Sequence, residues 1–526
     1  MPSSTPCAPS GPAADVLAAF LAAADFARPA IDWHALAPEV IVTATIVVAL
    51  LIDVSSSDDS RWTASSVAGI GLLGALVPVL TLAVDNTSRA MFGGGYVVDD
   101  FALVLKGLFL VAGYFTVLLS TNDIAEGDYA EGEYYLLILS SVLGMMVMAS
   151  SRDLIGIFIA LEMLSIPAYL LAGWRKRALT GNEAGMKYYL MGVFASAVML
   201  YGMSLIFGGT GSTLLSRVGV AIDGSFGQEP VAVLGIIFVI VGFGFKVSAV
   251  PFHNWAPDTY EGAPTPVTAF LSVASKSAGF VAILELIYIG FFGRSDVIRP
   301  FMFVLAVATM TVGNVIALRQ TNIVRLFAYS SVAQAGFILA PLAVFGVERT
   351  RGGIDGTTNQ VLASVVTYLL IYTVMNLGVF AVIIAVSRKL HTGDITAWGG
   401  LWTYAPGLAT AMAVFLFGLG GIPPAVGWFA KFQVFTAVIK GGTPLGYAMG
   451  VVMAVNSVVS LGYYLSIVRT MFMDDPPDGD TTPVRIPVAL VAAVTLTVVA
   501  TLVVGVLPGL VSDVADGAVF AFGAGR

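Results

Sequence analysis

Lys106, Lys187, Lys246, Lys276 and Lys431 each fall inside a long apolar run, whereas all 17 arginines of the chain fall in loops or at the edges of such runs. The two bases differ in the chemistry they permit. Arginine stays protonated in proteins, but a lysine taken out of water loses basicity and can titrate near neutral pH. A group that must take up and release a proton can therefore be lysine and cannot be arginine. Lys246, Lys276 and Lys431 lie deepest, each within ten residues of a proline-marked interruption. Lys106 and Lys187 lie nearer the run ends, where a lysine can snorkel to the lipid headgroups, and that is the reading for Lys106. Glu162 is read as the one buried carboxylate that answers these lysines, at mid-membrane depth in Gly156-Ile157-Phe158-Ile159-Ala160-Leu161-Glu162-Met163-Leu164-Ser165. An isolated ionised carboxylate there is costly, so it is either neutral or faces a base, with Lys187 and Lys246 as the candidates. Withdrawing an ionised Glu162 by a few ångströms would expel the proton of its partner, which makes a switchable proton site; the alternative is a fixed ion pair. Of the three histidines only His253, at the Pro251-Phe252-His253 interruption, is placed for proton access.

The elements that position these groups follow from composition. Across 526 residues 57% are hydrophobic and 11% charged, with a mean hydropathy of +0.90, where soluble chains carry roughly 25% charged residues. A soluble enzyme is excluded, because so few charges would leave apolar surface exposed on every side. A net charge of −8 without a basic patch excludes nucleic-acid binding. Fourteen apolar runs appear, near 37–54, 63–84, 98–121, 133–151, 153–173, 186–208, 231–250, 263–292, 300–318, 322–346, 361–387, 405–440, 445–472 and 487–510. About 20 apolar residues cross the hydrocarbon core, so the fold class is an all-α polytopic membrane protein with both termini on one side. The 405–440 run is too long for one span and too short for two. Gly420-Gly421-Ile422-Pro423-Pro424 interrupts it and predicts a broken helix, as Pro251 does after the seventh run. Matching interruptions in two halves point to inverted repeats, placed at 133–292 and 300–472, with unrelated kinks as the alternative. Helices 1–3 occupy 37–132, the last helix 487–510, and residues 1–36 form a tail without the basic start of a secretory signal.

Other signals are weaker. Cys7 is the single cysteine, so no disulfide or cysteine-held iron–sulfur cluster forms within the chain. Gly69-Ile70-Gly71-Leu72-Leu73-Gly74 matches a dinucleotide fingerprint, but it lies inside an apolar run with no strand before it, and small-residue helix packing accounts for it. Loop Lys and Arg divide evenly between the two faces, so charge hardly sets orientation, although Arg175-Lys176-Arg177 favours a cytoplasmic loop.

The segment Phe245-Lys246-Val247-Ser248-Ala249-Val250-Pro251-Phe252-His253-Asn254-Trp255-Ala256-Pro257-Asp258-Thr259-Tyr260-Glu261-Gly262 resembles the signature of the antiporter-like subunits of proton-pumping NADH–quinone oxidoreductase, respiratory complex I. Its continuation through Ser272-Val273-Ala274-Ser275-Lys276 is similar to the subunit N branch of that family. Arg325-Leu326-Phe327-Ala328-Tyr329-Ser330-Ser331, Gly421-Ile422-Pro423-Pro424 with Lys431, and Asn456-Ser457 with Gly462-Tyr463-Tyr464 also match. The resemblance covers roughly 37–510. It implies fourteen transmembrane helices, two inverted five-helix repeats and periplasmic termini in a bacterial cell membrane. It implies that Glu162, Lys187, Lys246, Lys276 and Lys431 form, with internal water, a proton relay along the membrane plane. The partners it implies are neighbouring antiporter-like and small membrane-arm subunits, with FMN, iron–sulfur clusters and quinone in other subunits and no cofactor or metal in this chain. The implied activity is proton translocation coupled to NADH-to-quinone electron transfer. A stand-alone cation/proton antiporter and a scaffold without pumping are the alternatives. The chain departs from the family's pattern at Gln334, where histidine is common, and in its long leader and the acidic loop from Asp123 to Glu133.

Overall fold

Every apolar run becomes a helix or a broken pair of helices in the computed structural model, which describes residues 30–55, 63–85, 87–126, 131–346, 349–350, 353–354, 356–477, 479–518 and 520. Residues 1–29 of the expected tail, Cys7 among them, and 127–130 of the acidic loop lie outside the described residues. In chain order the helices are α1 (Ala37–Ser55), α2 (Thr63–Asp85), α3 (Asp100–Glu126), α4 (Glu131–Ser150), α5 (Leu154–Ala172) and α6 (Leu179–Thr210). The seventh run divides into α7a (Pro230–Lys246) and α7b (Trp255–Gly262). Then follow α8 (Thr265–Gly290), α9 (Ser295–Ala317), α10 (Ile323–Leu339) and α11 (Gly356–Leu390). The long twelfth run is α12a (Pro406–Gly420) and α12b (Gly427–Lys440), before α13 (Pro444–Met473) and α14 (Val488–Val506). Among the described residues, twelve helices are long and apolar enough to cross a membrane, and the two broken elements complete fourteen. Two short antiparallel hairpins were not expected. One is β1 (Arg89–Met91) with β2 (Tyr96–Val98), turning through Gly93 and Gly94 at positive φ, and the other is β3 (Arg349–Thr350) with β4 (Gly353–Ile354).

The helices sort by depth. The span of α8 is wholly buried and that of α11 is 89% buried, whereas α1, α6 and α14 are each 28% buried. Outward faces of the peripheral helices carry Ile70, Leu80, Phe194 and Val458, all largely exposed. Helices apolar on both their inner and outer faces need an apolar solvent, and lipid supplies it. At one membrane face Asp32 caps the approach to α1. The backbone N–H of Ala35 and the Arg89 guanidinium at 2.7 Å hold its carboxyl below the usual carboxylate range.

Both breaks expose backbone groups that lipid could not satisfy, and side chains satisfy them instead. Around the first break, Trp255 Nε1 donates to the Phe245 carbonyl at 3.0 Å, and Val250 N–H donates to Thr309 Oγ1 at 3.0 Å. Around the second, Gln334 Nε2 donates to the Leu419 carbonyl at 3.3 Å, Lys431 Nζ to the Gly420 carbonyl at 3.1 Å, and Val426 N–H to the Thr501 carbonyl at 3.0 Å. Gly421 ends α12a in the left-handed region, at φ +91°, and a Cβ there would stand 3.0 Å from Lys431 Cδ. Left-handed backbone costs a non-glycine residue about 1–2 kcal/mol, and the stem of Lys431 would also have to move aside. Gly421→Ala is therefore expected to lower the thermal midpoint of the purified assembly and the amount recovered from membranes. A variant as heat-stable as the wild type would show that the turn carries no such constraint.

Candidate proton-transfer site

α5 begins where Asp153 accepts hydrogen bonds from the Ile155 and Gly156 N–H groups at 2.8 and 3.2 Å, which caps its first turn. From that start, Glu162, Ser165 and Tyr169 fall on one helical face. Glu162 is partly buried and accepts a hydrogen bond from Ser196 Oγ of α6 at 2.6 Å. One turn on, Ser165 Oγ accepts from Lys246 Nζ at 2.9 Å. Lys246 ends α7a, is 2% exposed, and also donates to the Tyr188 hydroxyl at 3.2 Å. Glu162 is thus one turn from the serine that anchors Lys246, and the two residues share no ion pair.

Lys187 is turned away from this face. Its neighbour Tyr188 points inward, and Lys187 pairs instead with Glu183 and with Asp258 of α7b, both at 2.6 Å. Asp258 also holds Arg325 at 2.7 Å, and Arg325 holds Glu261 at 2.9 Å. Of the two candidate partners of Glu162, Lys187 is thus taken up by this rim network, because adjacent residues on a helix point about 100° apart.

Lys276 lies on α8 and is 2% exposed. Its Nζ donates to the Ser331 carbonyl at 2.8 Å and to Ser331 Oγ. Gly279, one turn along α8 from Lys276, lies against the Lys246 stem: a Cβ there would meet Lys246 Cγ at 3.1 Å. At the adjacent Ser330 a second hydrogen-bonded group begins. Ser330 Oγ meets the Tyr464 hydroxyl at 2.7 Å, Gln334 Nε2 donates to that hydroxyl at 3.1 Å, and Tyr368 donates to Gln334 Oε1. Gln334 then reaches the Leu419 carbonyl, next to the Gly420 carbonyl that holds Lys431. The ammonium of Lys431 also stands 4.8 Å from the centre of the Phe337 ring. Gln334 bridges three groups where a histidine had been looked for. His253 is 8% exposed, packs edge-on to Tyr329, and its Nδ1 has no hydrogen-bond partner among the described residues.

A family model described as NADH:quinone oxidoreductase/Mrp antiporter, TM, matches residues 151–457. A curated relative from Trichlorobacter lovleyi, named NADH-quinone oxidoreductase subunit N, is 38% identical over 492 residues, 93% of this chain and 97% of the relative. Another of that name, from Rubrobacter xylanophilus, is 41% identical over 441 residues, 84% of this chain and 88% of the relative. The chain belongs to the NADH-quinone oxidoreductase subunit N family. Among solved structures, a chain of respiratory complex I from Thermus thermophilus with bound aureothin is similar, with a TM-score of 0.75, 32% identity, and coverage of 91% of this chain and 100% of that one. A chain of the Mrp complex from Dietzia sp. DQ12-45-1b shares the fold, with a TM-score of 0.80 at 21% identity over 93% of this chain and 97% of that one. The family is one of membrane subunits of an enzyme complex, and this member is a multi-pass membrane protein.

Two readings made from sequence are corrected. Lys106 does not snorkel. It is 0% exposed and forms an ion pair with Glu39 of α1 at 2.8 Å, which holds the side chain inside the protein. Glu162 is also not the one buried carboxylate: Glu39, Asp99 and Glu285 are more deeply buried, the last two on Arg152. Glu285 had the same signal as Glu162, an acid inside an apolar run, and was overlooked. Asp258 and Tyr188 gave no comparable signal. Removing one partner of a buried pair costs about 3–5 kcal/mol, whereas replacing both with apolar groups is often neutral. Lys106→Met is accordingly expected to destabilise the assembly strongly, and Lys106→Met with Glu39→Leu to recover most of the loss, as read from thermal midpoints. Equal loss in the single and double variants would mean that the pair itself is not what the site requires.

Proposed function

We propose that this chain is a proton-translocating membrane-arm subunit of NADH–quinone oxidoreductase, and that Glu162, Lys187, Lys246, Lys276 and Lys431 carry its proton relay. The observation that carries the reading is that hydrogen-bonded groups stand end to end between Lys276 and Lys431: Lys276 on Ser331, then from the adjacent Ser330 through Tyr464 and Gln334 to the Leu419 carbonyl, next to the Gly420 carbonyl that holds Lys431. Lys246 stands against α8 at the other side of Lys276. In this reading Glu162, with Ser196 and Ser165, sets the charge near Lys246, and Lys187 on Asp258 serves as the outer group. His253 gives proton access at the first break. Ser248 and Ser277, buried hydroxyls with no hydrogen-bond partner among the described residues, offer places for internal water beside Lys246 and Lys276.

The subunit contributes positioning and proton chemistry, while electrons pass from NADH through FMN and iron–sulfur clusters to quinone in other subunits. Its inverted repeats are residues 133–292 and 300–472, each holding one broken helix. It sits in the bacterial cell membrane with both termini periplasmic, beside neighbouring antiporter-like and small membrane-arm subunits. Against 100 mV each proton costs about 2.3 kcal/mol to move. A change in the charge facing a buried lysine is of that order, so electrostatic coupling along the series can gate the step. Lys246→Ala and Glu162→Ala are each expected to leave the complex assembled and NADH oxidation measurable, while lowering proton uptake per electron in sealed vesicles. Normal pumping by both variants would remove these residues from the relay. Co-purification with the redox arm separates this function from that of a stand-alone antiporter.

A further inference from the structure

A second group of buried charges lies away from the lysine series, where α3 and α5 begin and α8 ends. Arg152, in the turn between α4 and α5, is 4% exposed. Its Nη2 donates to both Asp99 oxygens at 3.0 and 3.2 Å, and its Nη1 donates to Glu285 Oε1 at 2.5 Å. Asp99 is 2% exposed and Glu285 0%. The Phe520 ring covers the guanidinium, with its centre 5.3 Å from Cζ. The next base among the described residues, Lys106, is committed to Glu39 and to the Tyr96 hydroxyl. Tyr96 joins the two groups, since its backbone bridges to Ser151. Asp100, partly buried beside Asp99, adds negative charge. α4 contributes only the uncharged Ser150 here, and α7a has no charged side chain at this end. The short amphipathic helix Leu215–Asp223 packs against the last turn of α8, with Arg217 exposed and Asp223, also exposed, beside Gly293 just past the end of α8.

Charge does not balance at this site. One guanidinium neutralises one carboxylate, and two face it, so one of the pair is a buried ion without a counter-charge. Two carboxylates that share a site do not both ionise, and a buried acid that lacks a counter-charge binds a proton instead. The hydrogen bonds say which one. Asp99 receives both Nη2 bonds and also caps α3, accepting from the Ala102 N–H at 2.9 Å. Those three donors suit an anion. Glu285 receives a bond at one oxygen only, and its Oε2, fully buried, has no hydrogen-bond partner among the described residues.

We propose that Glu285 is a proton-holding site of this chain, with an exchangeable proton on Oε2 while Asp99 stays ionised on Arg152. The site stands independently of the lysine relay and goes beyond it. α8 then carries two proton-binding groups, Lys276 and Glu285, nine residues or about 13 Å apart by helical rise. Turns of π-helix, Leu271–Ser275 and Leu286–Gly290, bracket the segment between them. Such turns inside α-helices occur frequently at functional sites. The test compares infrared spectra of the intact purified complex with those of Glu285→Gln and Asp99→Asn complexes, in H2O and in 2H2O. Wild type minus Glu285→Gln is expected to show a protonated-carboxyl stretch that shifts in 2H2O, and no loss of carboxylate bands. Asp99→Asn leaves Arg152 a single carboxylate, so the same protonated band is expected to vanish although Glu285 is still present. Glutamine mimics the neutral acid, so Glu285→Gln is expected to assemble at the wild-type level. Carboxylate bands in the first difference, survival of the protonated band in Asp99→Asn, or failure of Glu285→Gln to assemble would each overturn the proposal.

Discussion

Lipid offers no hydrogen bond and no counter-charge, so every polar group that this chain places inside the membrane must be answered by another part of the chain. That requirement explains why the broken helices are not loose. Where α7a and α12a end, the freed carbonyls of Phe245, Leu419 and Gly420 receive bonds from Trp255, Gln334 and Lys431. These donors come from sites distant in the sequence or across the break itself. A break can thus supply polar backbone at depth only because α10 and the second half-helix stand beside it. The same requirement gathers the inner lysines onto serine and tyrosine oxygens, since a hydroxyl solvates an ammonium and still allows it to become neutral. A carboxylate partner would fix the charge.

Lys106 and Lys246 show the two outcomes of burying the same residue type. Lys106 faces the Glu39 carboxylate at 2.8 Å. Lys246 faces the hydroxyls of Ser165 and Tyr188, with Glu162 one turn away. The distinction lies in the partner's chemistry, and the partner comes from another helix.

That is also why the sequence could be read for some of this and not the rest. Helix positions were legible, because a span is a local run of about 20 apolar residues and its interruption is marked by local glycines and prolines. The inner lysines were legible for the same reason, as charges inside runs. Pairings were not, because they depend on which face of which helix meets another. Whether Lys187 would meet Glu162 or Asp258 depends on the rotation of α6, and one residue of difference sends Tyr188 inward and Lys187 to the rim. Lys106 was misread because its fate depends on a partner, Glu39 of α1, that lies more than fifty residues earlier in the chain. Gln334 was noted as the absence of a histidine. Its use appears only when Tyr368, Tyr464 and the end of α12a are brought to it.

Arg152 sharpens the contrast between the two basic residues. Arginine cannot hand on its proton, so a buried arginine acts as a fixed positive point around which acids arrange themselves. The family match begins at residue 151 and ends at 457, and it therefore includes Arg152 and Glu285 but not Glu39, Asp99 or Lys106. The acid that completes the arginine's environment thus comes from the helices ahead of the matched core. α1 to α3 are consequently more than a lipid-facing cover, because Asp99 takes up the fixed charge that Glu285 would otherwise have to balance alone. A core whose charge balance is set from outside the core can be tuned without altering its lysines, and α8, fully enclosed, touches both the lysine series and the arginine site.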